Sequence, residues 1–155
     1  MKIVKTVLLI YLVSLFSVTI LPRLSLFYAL PHLILVISLL FIFEKEFKTG
    51  LLWALLGGLF LDFFGPKFPS NIFITTAIIL LTIFLLQKFF ESSNIYLFLT
   101  FCFFGSLVYD FLLLPNFQFS IFNFQLLSAL YSTFFGFVIY LIYLRFQKRF
   151  RKSLI

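Results

Sequence analysis

Few side chains in this sequence could do chemistry: Asp62, Asp110, His32 and Cys102, with Arg23 and Lys67 as the cations expected nearby. Two carboxylates and one histidine can support acid–base chemistry in principle. The patterns that organise such groups into a reaction centre are missing: there is no Ser-His-Asp ordering, no HExxH, no phosphate loop and no multi-cysteine site. The sole histidine rules out a multi-histidine metal site, and the single cysteine, inside an apolar run, rules out a disulfide within one chain. No catalytic, cofactor-binding or metal-ligating residue is therefore expected, and no enzyme activity. A proton relay through Asp62, Asp110 or His32 is the alternative to a structural role for these groups.

The elements that must position them are membrane helices. The chain is 63% hydrophobic and 11% charged, with a mean hydropathy of +1.19, whereas soluble domains are nearer ~45–50% apolar. The expected fold is all-α: one integral membrane domain over 1–155, a polytopic bundle of about six transmembrane helices. The spans read as 6–21, 24–43, 49–64, 72–87, 95–114 and 124–144, followed by a basic tail over 145–155. Pro31 interrupts the second, whose straight part begins at Pro31-His32. Residues 117–123 read as a broken segment in the interface.

Charge sets the orientation. Lys2, Lys5, Lys45, Lys48, Lys88, Arg145, Lys148, Arg149, Arg151 and Lys152 fall on one side of a six-span chain, and only Arg23 and Lys67 on the other. That bias places both termini in the cytoplasm. It also accounts for the net charge of +7 without nucleic acid as a partner. Arg145, Lys148, Arg149 and Lys152 recur at i, i+3, i+4 and i+7, a helical face suited to anionic lipid headgroups, with Arg151 beside it.

The third span holds the densest signal. Gly50, Ala54, Gly57 and Gly58 thin one apolar helix to a groove that another helix can enter, Asp62 lies one turn beyond Gly58, and Gly65 closes the run. Gly57-x-Leu59-x-x-Asp62-Phe63 recurs as Gly105-x-Leu107-x-x-Asp110-Phe111, with Ser106 inside the second copy. Gly50, Ala54, Gly57, Gly58, Asp62, Gly65, Gly105, Ser106 and Asp110 are the expected helix-packing or partner face. Arg23, His32, Asp62, Lys67 and Asp110 are expected to share the outer level of the membrane as a polar cluster fixing helix ends.

The run Pro31-His32-Leu33-Ile34-Leu35 followed by Gly50…Gly58-Leu-Phe-Leu-Asp62-Phe-Phe-Gly65 resembles the rod shape-determining protein MreD family. Pro31 and Leu33 match that family's Pro-Asp-Leu-Leu-type entry, with His32 in place of the usual acid. Gly58, Asp62 and Gly65 match its glycine-rich span, while Pro69-Ser70-Asn71 departs from its later Pro-x-Gly. The similarity covers mainly 31–90. It implies a non-enzymatic scaffold in the bacterial inner (cytoplasmic) membrane, without a cofactor. Its partners would be MreC and, through MreC, MreB, RodA and a class B penicillin-binding protein of the cell-elongation complex. It also implies a fold like the substrate-binding S components of energy-coupling-factor vitamin transporters, which makes such a subunit the alternative function. Thr6–Leu21 lacks the alanine face with which S components dock, and the loops offer few polar side chains to a vitamin. Both features favour the scaffold.

Overall fold

A computed structural model describes residues 2–24, 30–65, 70–89, 94–113 and 119–152, by backbone alone at 2–3, 24, 119–124 and 147–152. Six α-helices follow one another: α1 (Lys2–Thr19), α2 (Leu33–Phe43), α3 (Phe47–Phe64), α4 (Ser70–Phe89), α5 (Ile95–Leu113) and α6 (Phe119–Lys152), with a 3-10 turn at Leu21–Leu24. Every described element is helical, and five stretches are long and apolar enough to cross a membrane: Val4–Arg23, Phe47–Phe64, Ser70–Phe89, Ile95–Leu113 and Gln125–Phe146.

The second expected span takes a different form. Of 24–43, the α-helix comprises only Leu33–Phe43, 11 residues, which at 1.5 Å each is ~16 Å against a hydrocarbon core of ~30 Å. Proline supplies the cause: Pro31 has no N–H to donate and biases the residue before it away from helix. Residues 25–29 lie outside the described set.

Short as it is, α2 is the hub, packing against each of the other five helices. Nine of its residues are buried, among them Ile34, Leu35, Val36, Leu39 and Ile42. A helix apolar all round belongs inside, and one surrounded by protein need not match the bilayer's thickness. Around it α1, α3, α4, α5 and α6 pack as successive neighbours. Among the described residues α1 and α6, the ends of this arc, make no contact. The outward faces of the arc are apolar, with Leu8, Phe73, Phe84, Phe104 and Phe134 exposed, as lipid-facing surfaces are. Several hydroxyls within the spans are satisfied by their own helices: Ser14, Ser38 and Thr82 each donate to the carbonyl four residues back, at 2.9, 2.7 and 2.8 Å.

α2 and α3 form a tight antiparallel hairpin. Glu46 N–H donates to Phe41 O at 2.9 Å and Lys45 N–H to Ile42 O at 3.0 Å, the paired bonds of a Schellman cap. Lys45 takes the left-handed position, φ 63°, where glycine is usual. Two glycines of α3 then let α2 approach: a Cβ on Gly50 would lie 2.5 Å from Ile42 Cδ1, and one on Gly57 2.5 Å from Ile34 Cγ2.

At the other end of the chain, α6 is one continuous helix of 34 residues. The segment expected to break at 117–123 is helical from Phe119 onward. The helix also runs on past its apolar window through Lys148, Arg149, Arg151 and Lys152, with Arg145 just inside the window. Arg145 is exposed.

Candidate functional site

Asp62 is built into the bundle by the geometry of α3 and α4. It is 1% exposed, and its carboxylate accepts from two backbone donors: Asn71 N–H to Oδ1 at 2.8 Å and Ile72 N–H to Oδ2 at 2.9 Å. These are the second and third residues of α4, whose first-turn N–H groups have no partner within the helix. A carboxylate at this end also meets the positive pole of the helix dipole. Gly58, one turn earlier, makes the approach possible, since a Cβ there would stand 2.7 Å from Ile72 Cα and 2.7 Å from Thr75 Oγ1. The Thr75 hydroxyl reaches back to Ala54 O at 3.1 Å and to Asn71 O at 2.7 Å.

Asp110 serves the start of α2 instead. His32 is the residue before that helix, and its Nε2 lies 2.9 Å from Asp110 Oδ1. The backbone N–H of His32 donates to Ser132 Oγ at 3.0 Å. Ser128 Oγ donates to Leu30 O at 2.9 Å and also lies 3.2 Å from His32 Nε2. Facing a carboxylate and a hydroxyl whose own proton is committed, Nε2 carries hydrogen, and Nδ1 is the other edge of the ring. The Ser106 hydroxyl and the second oxygen of Asp110, at i and i+4 on α5, are buried without a protein partner.

Tyr109 joins the two aspartates. Its ring lies 4.3 Å from that of His32, centroid to centroid, and its hydroxyl donates to the Asn71 carboxamide oxygen. Asp62, Asn71, Tyr109, His32, Asp110, Ser128 and Ser132 thus form one polar chain that ties α2 through α6 together. Beside it is a cavity of about 300 Å³, whose polar lining is His32, Asn71, Thr75, Tyr109 and Ser17 and whose other walls are apolar, including Val18, Leu61 and Leu113.

No protein-family model matches this sequence, and comparison with curated proteins and with solved structures finds no match either.

Of the expected outer cluster, His32, Asp62 and Asp110 come together. Arg23 is exposed on the 3-10 turn, and Asp110 pairs with His32 rather than with a lysine or arginine. Lys67, the expected neighbour of Asp62, lies outside the described residues. The expected packing face is spent within the chain: Gly50, Ala54, Gly57, Gly58 and Asp62 are buried along α3, and Gly105, Ser106 and Asp110 along α5. Gly50 and Gly57 receive α2 and Gly58 receives α4. Gly105 meets Ile78 and Leu35 at ordinary contact distance, 3.5 and 3.6 Å from a Cβ placed there. Gly65 ends α3 in an extended conformation. Tyr109, Ser128 and Ser132 carry no motif signal in the sequence, being polar residues scattered in apolar helices, and Asn71 stands out only as part of Pro69-Ser70-Asn71. Their signal is positional, since each lies toward the end of the bundle that holds Asp62 and Asp110.

Ser128, His32 and Asp110 meet as a serine, a histidine and an acid, but not as a relay. In a nucleophilic triad the acid and the serine occupy opposite ring nitrogens, whereas here both sit at Nε2 and the serine proton goes to Leu30 O. This arrangement holds a helix end in place.

Proposed function

We propose that this chain is a non-enzymatic scaffold subunit of a bacterial cell-elongation complex, of the kind the MreD resemblance implies. It would sit in the inner membrane with both termini in the cytoplasm. The observation that carries the reading is the common employment of the residues on which that resemblance rests. Pro31 opens α2, Gly58 admits α4, Asp62 caps α4 and Gly65 ends α3, all at one end of the bundle. Their work is to fix helix ends inside the bundle, which suits a scaffold. Because the glycine faces are internal, MreC would dock on the lipid-facing sides of the outer helices, where small polar contacts and close packing drive association. MreB, RodA and a class B penicillin-binding protein would be reached through MreC. The basic run on α6 would lie against anionic headgroups.

Affinity purification in mild detergent tests this directly. Recovery of MreC with the tagged chain is the expected result, and its absence from a stable, monodisperse preparation would remove the scaffold reading.

One observation favours the second reading, an S component of an energy-coupling-factor transporter. The polar groups that the loops do not offer are supplied by helices, around the cavity beside His32, Asn71 and Tyr109. Recovery of ATPase and coupling subunits in the same purification is its signature.

A further inference from the structure

The cavity has a chemical character of its own, independent of whether the chain is a scaffold or a transporter subunit. We infer that it is a binding site for a neutral, mostly apolar small molecule carrying one group that both donates and accepts a hydrogen bond, such as a hydroxyl or a primary amide. Its volume, about 300 Å³, is at the small end of the ~300–1,000 Å³ typical of small-molecule sites. Most of the wall is apolar, and besides Ser17 its polar side chains are His32, Asn71, Thr75 and Tyr109, which contact one another, the usual division between affinity and orientation.

The hydrogen-bonding capacity of those groups is fixed by their other partners. Tyr109 spends its hydroxyl proton on the Asn71 carboxamide oxygen, so the amide turns its N–H₂ edge away from Tyr109 as a donor. His32 uses Nε2 toward Asp110 and Ser128, so Nδ1 is the ring's remaining acceptor. One donor and one acceptor on adjoining side chains suit a head group with both capacities.

Charge is selected against. No Lys, Arg, Asp or Glu lines the cavity among the described residues. Neither nearby carboxylate lines the cavity: Asp62 is held by two backbone N–H groups, and Asp110 meets His32 through Oδ1. An ionised head would lose its water with no opposite charge to meet it.

The test uses the full chain in lipid nanodiscs, with 2-naphthol, naphthalene and 2-naphthoate as probes in equilibrium dialysis against empty nanodiscs. 2-Naphthol should show one saturable site per chain, naphthalene a weaker one, and 2-naphthoate none. Asn71→Leu, which keeps the volume and deletes the donor, should weaken 2-naphthol by about tenfold, the usual effect of one lost hydrogen bond. Val18→Trp, which fills the cavity, should abolish saturable binding. Should that variant lose its helical dichroism, Leu113→Trp fills the same space from α5. The inference is overturned by any of four results: no saturable 2-naphthol binding to the wild type, binding that survives a folded cavity-filling variant, 2-naphthoate binding as tightly as 2-naphthol, or naphthalene doing so. None of these changes what co-purifies with the chain, so the two questions separate.

Discussion

His32 and Asp110, 78 residues apart in the chain, are joined by a 2.9 Å contact that pins the start of a buried half-length helix to the far end of α5. Asp62 does the equivalent for α4, through two backbone N–H groups. Each aspartate of the repeated Gly-x-Leu-x-x-Asp-Phe pattern therefore secures the beginning of another helix. α3 and α5, which carry the two copies, do not touch each other among the described residues. α2 and α4 each pack against both of them.

The pair at α2 should behave as a unit. His32→Leu strands a largely buried carboxylate and is expected to cost about 3 kcal/mol, while Asp110→Leu removes the charge and costs less. The double variant should lose less than the two singles combined, because apolar replacement of both partners leaves no orphaned charge. Reversible unfolding in mixed micelles measures all three, and strictly additive losses would contradict the coupling.

Asp62 should matter through its backbone partners. Asp62→Ala leaves two first-turn N–H groups of α4 without acceptors, at ~1–3 kcal/mol each, and Asp62→Asn, keeping one acceptor oxygen, should fall between. Hydrogen exchange gives the local signature: the amides of Asn71 and Ile72 lose protection in Asp62→Ala while those near Thr82 keep theirs. Unchanged exchange at Asn71 and Ile72 would contradict the cap.

Two glycines of the repeated pattern, or next to it, should respond with opposite sign. Gly58→Ala places a Cβ 2.7 Å from the Ile72 backbone and should destabilise the protein by ~1–3 kcal/mol. At Gly105 the nearest neighbour would be an Ile78 side chain at 3.5 Å, so Gly105→Ala should gain the ~0.5–1 kcal/mol of helix propensity. Thermal unfolding in detergent reads both, and loss of stability at Gly105 would count against this packing.

Lys45 holds a left-handed conformation, φ 63°, at an exposed turn. Lys45→Gly should therefore stabilise the hairpin by ~1 kcal/mol. A lower melting temperature would show that the lysine side chain outweighs its backbone strain.

Much of this was legible in the residues. Long uncharged runs gave α1, α3, α4 and α5 to within a few residues, because length and apolarity are what the bilayer itself demands. Gly57, Gly58 and Asp62 announced a close helix contact. The hub was harder to see. A helix buried in protein and one facing lipid are both apolar, so only Pro31 hinted that Leu33–Phe43 would be short and internal. The partners of the acids were hidden for another reason. Asp62 turned to backbone N–H groups, which no sequence pattern displays. His32 found Asp110, Ser128 and Ser132 only when folding brought together residues 78 to 100 positions apart.

Impermeant maleimide labelling of single cysteines in intact cells tests most directly whether these helices weave through a membrane with both termini inside. Arg23→Cys and Glu46→Cys place exposed thiols at opposite ends of the bundle, and native Cys102, fully buried, gives no background. Labelling of Arg23→Cys from outside, with Glu46→Cys reacting only after the membrane is opened, is the expected result. External labelling at Glu46→Cys would contradict the orientation, and labelling of both sites from the same side would contradict a bundle that spans the membrane.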